Sequence, residues 1–163
     1  MKSKLHSCII KTPIGDMVAI ADENVVISFD FVVEKTDYQI SKKPSALLSR
    51  LEKEICEYFA QERQKFTLPL SPNGTEFQKK VWNTLLDIPY GSTISYATQA
   101  KMLQNPKATR AVANANGKNP ITILIPCHRV IASNGSLGGY TGGVDKKEFL
   151  LCLEKEYFNN VNT

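Results

Sequence analysis

Cys127 stands between Pro126 and the pair His128-Arg129, at the end of the apolar run Ile121 to Ile125. Proline fixes the backbone on one side, and two basic residues make a positive neighbourhood on the other. Such surroundings lower a cysteine pKa and raise its thiolate fraction. The chemistry open to that thiolate is nucleophilic. Neighbours in sequence do not point the same way, so His128 need not touch the sulfur directly. The competing reading is a buried, inert thiol, the usual fate of cysteine, and it is assigned to Cys8, Cys56 and Cys152. The four cysteines are widely spaced, no Cys-x-x-Cys pair occurs, and His6 is the only other histidine. That pattern predicts free thiols, no metal site and no cofactor.

Two further stretches could serve the cysteine. Gly138-Gly139-Tyr140-Thr141-Gly142-Gly143 offers exposed backbone amides and one aromatic. It lacks the Lys-Ser/Thr ending of a phosphate loop and suits a flexible wall over a flat ligand, or else a mobile connection. Glu154 lies four residues after Leu150, at the edge of an apolar stripe of Phe149, Leu150, Leu153 and Tyr157. A carboxylate there is either solvated beside a lysine or turned inward to orient a histidine.

The elements that must position these groups fall into two sets. Residues 5–11, 17–22 and 25–33 are short apolar runs rich in Val and Ile, predicting an antiparallel meander. Residues 45–62 carry Leu47, Leu48, Leu51, Ile55 and Phe59 at helical spacing. Pro69, Pro72 and Gly74 mark a connector, dividing the chain into domains at 1–70 and 71–163. Beyond it the pattern is mostly helical. Thr75 and Gln78 form a capping box for a helix with Phe77, Val81, Trp82, Leu85 and Ile88. Ser95 caps a second helix that begins at Tyr96 and ends near Gln104. Asn105-Pro106 opens a third, closed by Gly117. The expected fold class is α+β.

The third helix predicts a buried stripe of Ala108, Ala111, Val112 and Ala115. Its other face holds Lys107, Arg110, Ala113, Asn114 and Gly117, which are basic, small or polar. Two helices on a short turn, the second with such a face, suggest a helix-turn-helix; a plain hairpin with a solvated face fits the same pattern.

The chain has 163 residues and a net charge of +4. It is long enough to bury a core without disulfides or metal. Its composition excludes a disordered, collagen-like or coiled-coil chain, and no apolar run spans a membrane. A soluble, cytoplasmic protein is expected, or a nuclear one in a eukaryote. Residues 74–142 hold seven basic and two acidic side chains, so that stretch carries the whole positive excess. An anionic partner or chance scatter would each explain it.

Ser95-Tyr96, Asn105-Pro106-Lys107-Ala108, Arg110-Ala111-Val112, Asn119-Pro120, Pro126-Cys127-His128-Arg129-Val130, Gly139 to Gly143 and Glu154 together resemble the O6-alkylguanine-DNA alkyltransferase family. The resemblance covers about Thr75 to Glu154; residues 1–70 share only the strand-then-helix layout. It implies a suicide repair protein, monomeric, acting from the minor groove on double-stranded DNA that bears O6-alkylguanine, with O4-alkylthymine as a second candidate lesion. By similarity Cys127 takes the alkyl group, and His128 acts through a water as its base, oriented by Glu154. Asn119 holds the cysteine's turn. Tyr96 donates a proton toward guanine N3 and helps rotate the phosphate. Arg110 fills the gap left by the flipped base, beside Lys107, Ala113 and Asn114 at the DNA. Tyr140, the Thr141 amide and the Val130 backbone contact the base. Relatives often carry Gly where Ala113 stands, which bears on DNA affinity. The zinc site of some relatives has no counterpart. The alternatives are a non-reactive helix-turn-helix protein sensing damaged bases, a helix-turn-helix regulator with an inert cysteine, and a cysteine hydrolase, which would have only His6 as a spare histidine.

Overall fold

The computed structural model describes residues 4–43 and 45–161, with side chains up to residue 156; Tyr157 lies outside the described side chains. The chain divides into two compact units, one of Met1–Asn73 with Pro120–Thr122, the other of Gly74–Asn119 with Ile123–Thr163. The fold class is α+β, as the sequence pattern predicts.

In the first unit β1 (His6–Thr12), β2 (Gly15–Ala21) and β3 (Val26–Phe31) form an antiparallel sheet in that order. Ile10, Met17, Ala19, Val26 and Phe29 are buried. The helix α1 (Ala46–Phe59) packs on β1 and β2 through Leu48, Leu51, Ile55 and Tyr58. Its end is fixed by Gln61, which adopts φ 62° while Glu62 N–H donates to the Glu57 carbonyl at 2.8 Å. That is a Schellman turn with Gln where Gly is usual.

The outer edge of β3 is covered twice. Val26 N–H donates to Pro69 O at 2.9 Å, and Phe29 N–H donates to Pro120 O at 2.9 Å. Residues 120–122 thus leave the apolar run that ends at Cys127 and join the sheet, a return the sequence pattern does not predict. The reason is backbone: an edge strand needs partners, and Thr122 N–H supplies one to Phe29 O at 2.8 Å.

The second unit holds α2 (Glu76–Leu85), β4 (Ile94–Ser95), α3 (Tyr96–Met102), α4 (Thr109–Gly117), β5 (Val130–Ile131) and α5 (Val144–Val161). The Thr75/Gln78 capping box and the Ser95 cap both form. After α3, Gln104 takes φ 57° and Asn105 N–H reaches back to Ala100 O at 3.1 Å, a second Schellman turn that reverses the chain. α3 and α4 pack together in a helix-turn-helix arrangement. Between them, Gln99 and Asn116 exchange amide hydrogen bonds at 3.1 and 2.7 Å in the buried interface. Trp82 Nε1 donates to Ala115 O at 2.8 Å, fixing α4 on α2.

Four expectations require correction. The third helix opens as a 3-10 turn at Pro106–Ala108, and Asn105 makes no side-chain cap. Cys56 and Cys152, assigned as buried thiols, are exposed. Ala111 is exposed, and the buried stripe of α4 is Val112, Ala115 and Asn116, the side to which Trp82 and Gln99 hydrogen-bond. Phe77 and Phe149 also face outward, at 38% and 40% exposure.

Candidate active site

The position of Cys127 follows from a run of tight turns. Ile123 has φ 75°, in the left-handed region that a β-branched residue rarely enters. Pro126, at φ −82° and ψ 66°, is the centre of an inverse γ-turn, closed by Cys127 N–H donating to Ile125 O at 2.8 Å. Asn119 is buried, and its Nδ2 donates to the same oxygen at 2.7 Å. Cys127, His128 and Arg129 then form one 3-10 turn, and all three are buried.

Cys127 lines a cavity of about 430 Å³ with Tyr96 from α3, Ala113 and Asn114 from the outer face of α4, and Tyr140 and Thr141 from the glycine loop. That volume is in the range of small-molecule sites. Thr141 Oγ1 donates to Gly117 O at 3.1 Å, tying the loop to the end of α4. Val130, expected at the base pocket, is buried and is not among the lining residues; its carbonyl accepts from Lys147 Nζ at 2.6 Å. Arg110 and Lys107 are exposed and lie outside the cavity wall.

Behind the cysteine, His128 Nε2 and Glu154 Oε2 are 2.7 Å apart, both fully buried. Of the two positions open to Glu154, the structure takes the inward one. Burial first, then the cations of Arg129 and Lys147, hold the imidazole below its ordinary pKa, against the pull of Glu154. A neutral imidazole donates Nε2–H to the carboxylate, which leaves Nδ1 as an acceptor. That nitrogen is buried and has no hydrogen-bond partner among the described residues. Burial opposes the Glu154 charge, but His128 and Arg129 outweigh it and keep the carboxyl well below the usual range.

Lys147 belongs to this site although its residue type gives no hint of it. It is completely buried, and its ammonium meets the carbonyls of Val130, Leu137 and Gly139 and the Tyr96 hydroxyl, the last at 3.3 Å. Burial pushes it down to about 8, while the charge of Cys127 favours the ammonium. Burial, then Cys127, pushes the Tyr96 phenol up. A cation electrostatically coupled to Cys127 therefore comes from α5. Spacing held the signal: Lys147, Leu150 and Glu154 follow i, i+3, i+7 and form the buried face of α5. Among the described residues no group of three or more metal-ligating side chains occurs, and no helix is long and apolar enough to cross a membrane.

A cysteine that lines a pocket walled in part by a helix-turn-helix places the chain in a class that joins DNA-binding architecture to a thiol site. Residues 76–156 match the family model for the DNA binding domain of 6-O-methylguanine DNA methyltransferase, and residues 5–72 match its ribonuclease-like domain. The chain belongs to that family. The methylated-DNA–protein-cysteine methyltransferase of Methanosarcina acetivorans is 43% identical over 153 residues, covering 92% of this chain and 98% of that one. The constitutive one of Bacillus subtilis is 41% identical, covering 89% and 92%. The O6-methylguanine methyltransferase of Mycobacterium tuberculosis superposes with a TM-score of 0.86 at 38% identity, covering 94% of each chain. A Mycobacterium tuberculosis OGT in complex with DNA gives 0.86 at 39%, covering 93% and 94%.

Proposed function

We propose that this protein repairs DNA directly, as a methylated-DNA–protein-cysteine methyltransferase that moves the alkyl group of O6-alkylguanine to Cys127, once per molecule. The observation that carries the reading is the placement of Cys127 on a pocket walled by Tyr96, by the outer face of α4 and by Tyr140 and Thr141, with the buried His128–Glu154 pair behind it.

The target base cannot be reached inside a duplex, so it is flipped out at a cost of a few kcal/mol. Arg110, exposed on α4, fills the gap, with Lys107, Ala113 and Asn114 along the minor groove. His128 Nδ1 takes the thiol proton through a water, and Glu154 stabilises the imidazolium. The thiolate attacks the alkyl carbon in line, forming S–C as C–O6 breaks, and the electron pair passes to the guanine. Tyr96 gives its proton toward N3 as that charge develops, with the Lys147 ammonium beside its oxygen. The Thr141 amide meets the base edge, Tyr140 covers its face, and Asn119 holds the turn. The stretch 71–163 is the working domain. The protein acts as a monomer, in the cytoplasm or in a eukaryotic nucleus, and needs no cofactor.

Intact mass after mixing with an O6-methylguanine duplex tests this. One methyl group per molecule, on Cys127, is expected, and Cys127→Ser should gain none while still binding DNA. A label on Cys8, Cys56 or Cys152 in that variant, or no mass gain in the natural protein, refutes the reading.

A further inference from the structure

The mechanism above leaves the buried charge of Arg129 unused. Arg129 is 6% exposed, and its guanidinium faces inward. Nε donates to Glu154 Oε1 at 2.9 Å and Nη2 to Glu154 Oε2 at 3.1 Å, a two-point fork on one carboxylate. Nη1 donates to the Ile88 carbonyl at 2.8 Å, and the Tyr90 ring lies 5.7 Å from the guanidinium carbon. Gly91 N–H adds a donor to Glu154 Oε1 at 3.1 Å. Glu154 thus accepts from the guanidinium fork, from His128 and from Gly91. The segment after α2 anchors both Arg129, through Ile88, and Glu154, through Gly91.

We propose that Arg129 is a positioning residue for alkyl transfer: it fixes the Glu154 carboxylate against His128 and balances its charge, so that His128 starts each reaction neutral. This rests on the reading of His128 as the base for Cys127.

The argument is one of charge and geometry. A buried carboxylate needs a compensating positive charge nearby. With only His128 at hand, that charge would come from protonating the imidazole, and an imidazolium cannot accept a thiol proton. Arg129 supplies a permanent cation in its place, since guanidinium does not deprotonate in proteins. The imidazole then needs only one neutral hydrogen bond to Glu154. The charged groups facing His128 are Glu154 and Lys147 from α5 and Arg129 from its own turn. α2 also packs on this turn, but its charged residues Glu76, Lys79 and Lys80 are exposed. The fork matters as well as the charge. A lysine could offset Glu154 but could not hold both of its oxygens and the Ile88 carbonyl in one plane.

The test follows the His128 imidazole by NMR titration and, separately, the single-turnover rate on the free base O6-benzylguanine against pH. The natural protein should show His128 neutral at pH 7. In Arg129→Gln the imidazole should titrate at least about one pH unit higher. Arg129→Lys should titrate close to the natural protein, and its transfer should fall through geometry at every pH. A natural protein with His128 protonated at pH 7 overturns the proposal, and that measurement needs no variant to fold. An unmoved titration in folded Arg129→Gln also overturns it. The transfer profile reports on the other reading. If the imidazole titration moves and the acid limb of transfer moves with it, both stand. If the titration moves and the limb stays, Arg129 sets the charge state as proposed, and His128 is not the base.

Discussion

The side-chain amide of Asn119 donates to the Ile125 carbonyl at 2.7 Å, on the same oxygen that the Cys127 N–H reaches at 2.8 Å. The second residue after α4 thus holds the turn that presents the cysteine. Asn119→Ala leaves a buried carbonyl with one donor fewer and should lower stability by about 1–3 kcal/mol. Transfer should slow on duplex and on free base alike, because the defect lies in the sulfur's position. Urea denaturation and single-turnover rates check both. A variant with lost stability but an unchanged rate would show that the γ-turn at Pro126 alone positions Cys127.

The buried charges set a stability profile. His128 has a folded pKa below its ordinary 6.5, so the unfolded chain binds its proton first. Stability from this group therefore falls as pH drops below about 6.5. Glu154, depressed from 4.5, contributes stability above that value and loses it as pH falls through its folded pKa. Lys147, pushed from 10.5 to about 8, works at the other end. Between these values the unfolded chain again holds more protons, so stability rises with pH until tyrosines begin to ionise near pH ~10. Denaturation midpoints should climb from pH 5 to 7 and again above pH 8. Lys147→Met should remove the second rise and shrink the first, because one of the cations that hold His128 low is lost; a second rise that persists in that variant would assign it to another group.

Gly138 has φ 72°, and a Cβ placed there would lie 2.7 Å from the Tyr96 hydroxyl. Gly138→Ala should therefore displace the Tyr96 ring as well as strain the loop, and transfer should fall at least about tenfold on both substrates. Gly135→Ala is the control. It carries the same backbone penalty, at φ 88°, with no atom within 4 Å of the new methyl group. Equal losses in the two variants would mean that strain, and not contact with Tyr96, decides the rate.

Where the residues advertise their surroundings, the sequence is readable. Thr75, Gln78 and Ser95 cap α2 and α3 where their types and spacing predict, and the apolar alternation of β1 to β3 gives the sheet. Cys127 stands out because Pro, His and Arg surround it. The buried cations do not stand out, because Lys147 and Arg129 have the residue types of a surface. Lys147 pairs with carbonyls of the glycine loop and Arg129 with Glu154, partners that only the folded chain brings near. Hydropathy assigns Phe149 to the core of α5, yet that face is occupied by Lys147 and Glu154, so the phenyl ring turns outward. The left-handed Ile123 is invisible in the same way, since nothing in a β-branched residue type announces a positive φ.

The +5 excess of residues 74–142 predicts how binding responds to salt. Neutralising several phosphates releases as many counterions, so log affinity for undamaged duplex should fall against log salt with a slope of roughly several units. Titration by fluorescence anisotropy from low to moderate salt measures it. A flat response would remove the charge argument for DNA, without touching the alkyl-transfer chemistry at Cys127.

Arg110 separates base flipping from chemistry. It is exposed on α4, outside the wall of the Cys127 cavity, so its loss should leave the fold and the pocket intact. If it fills the hole left by the target base, Arg110→Ala leaves the unstacking energy uncompensated. That is of order a few kcal/mol, or roughly a hundredfold in rate on duplex if most of it is lost. A free base such as O6-benzylguanine needs no flipping and should react with Cys127 at nearly the natural rate. A simple phosphate contact would behave differently: binding would weaken modestly, the salt slope would drop by about one unit, and saturating protein would restore the rate. Single-turnover rates at saturating protein on both substrates therefore decide the role. Equal losses on duplex and free base would show that Arg110 supports the pocket itself, and the gap-filling assignment would be wrong.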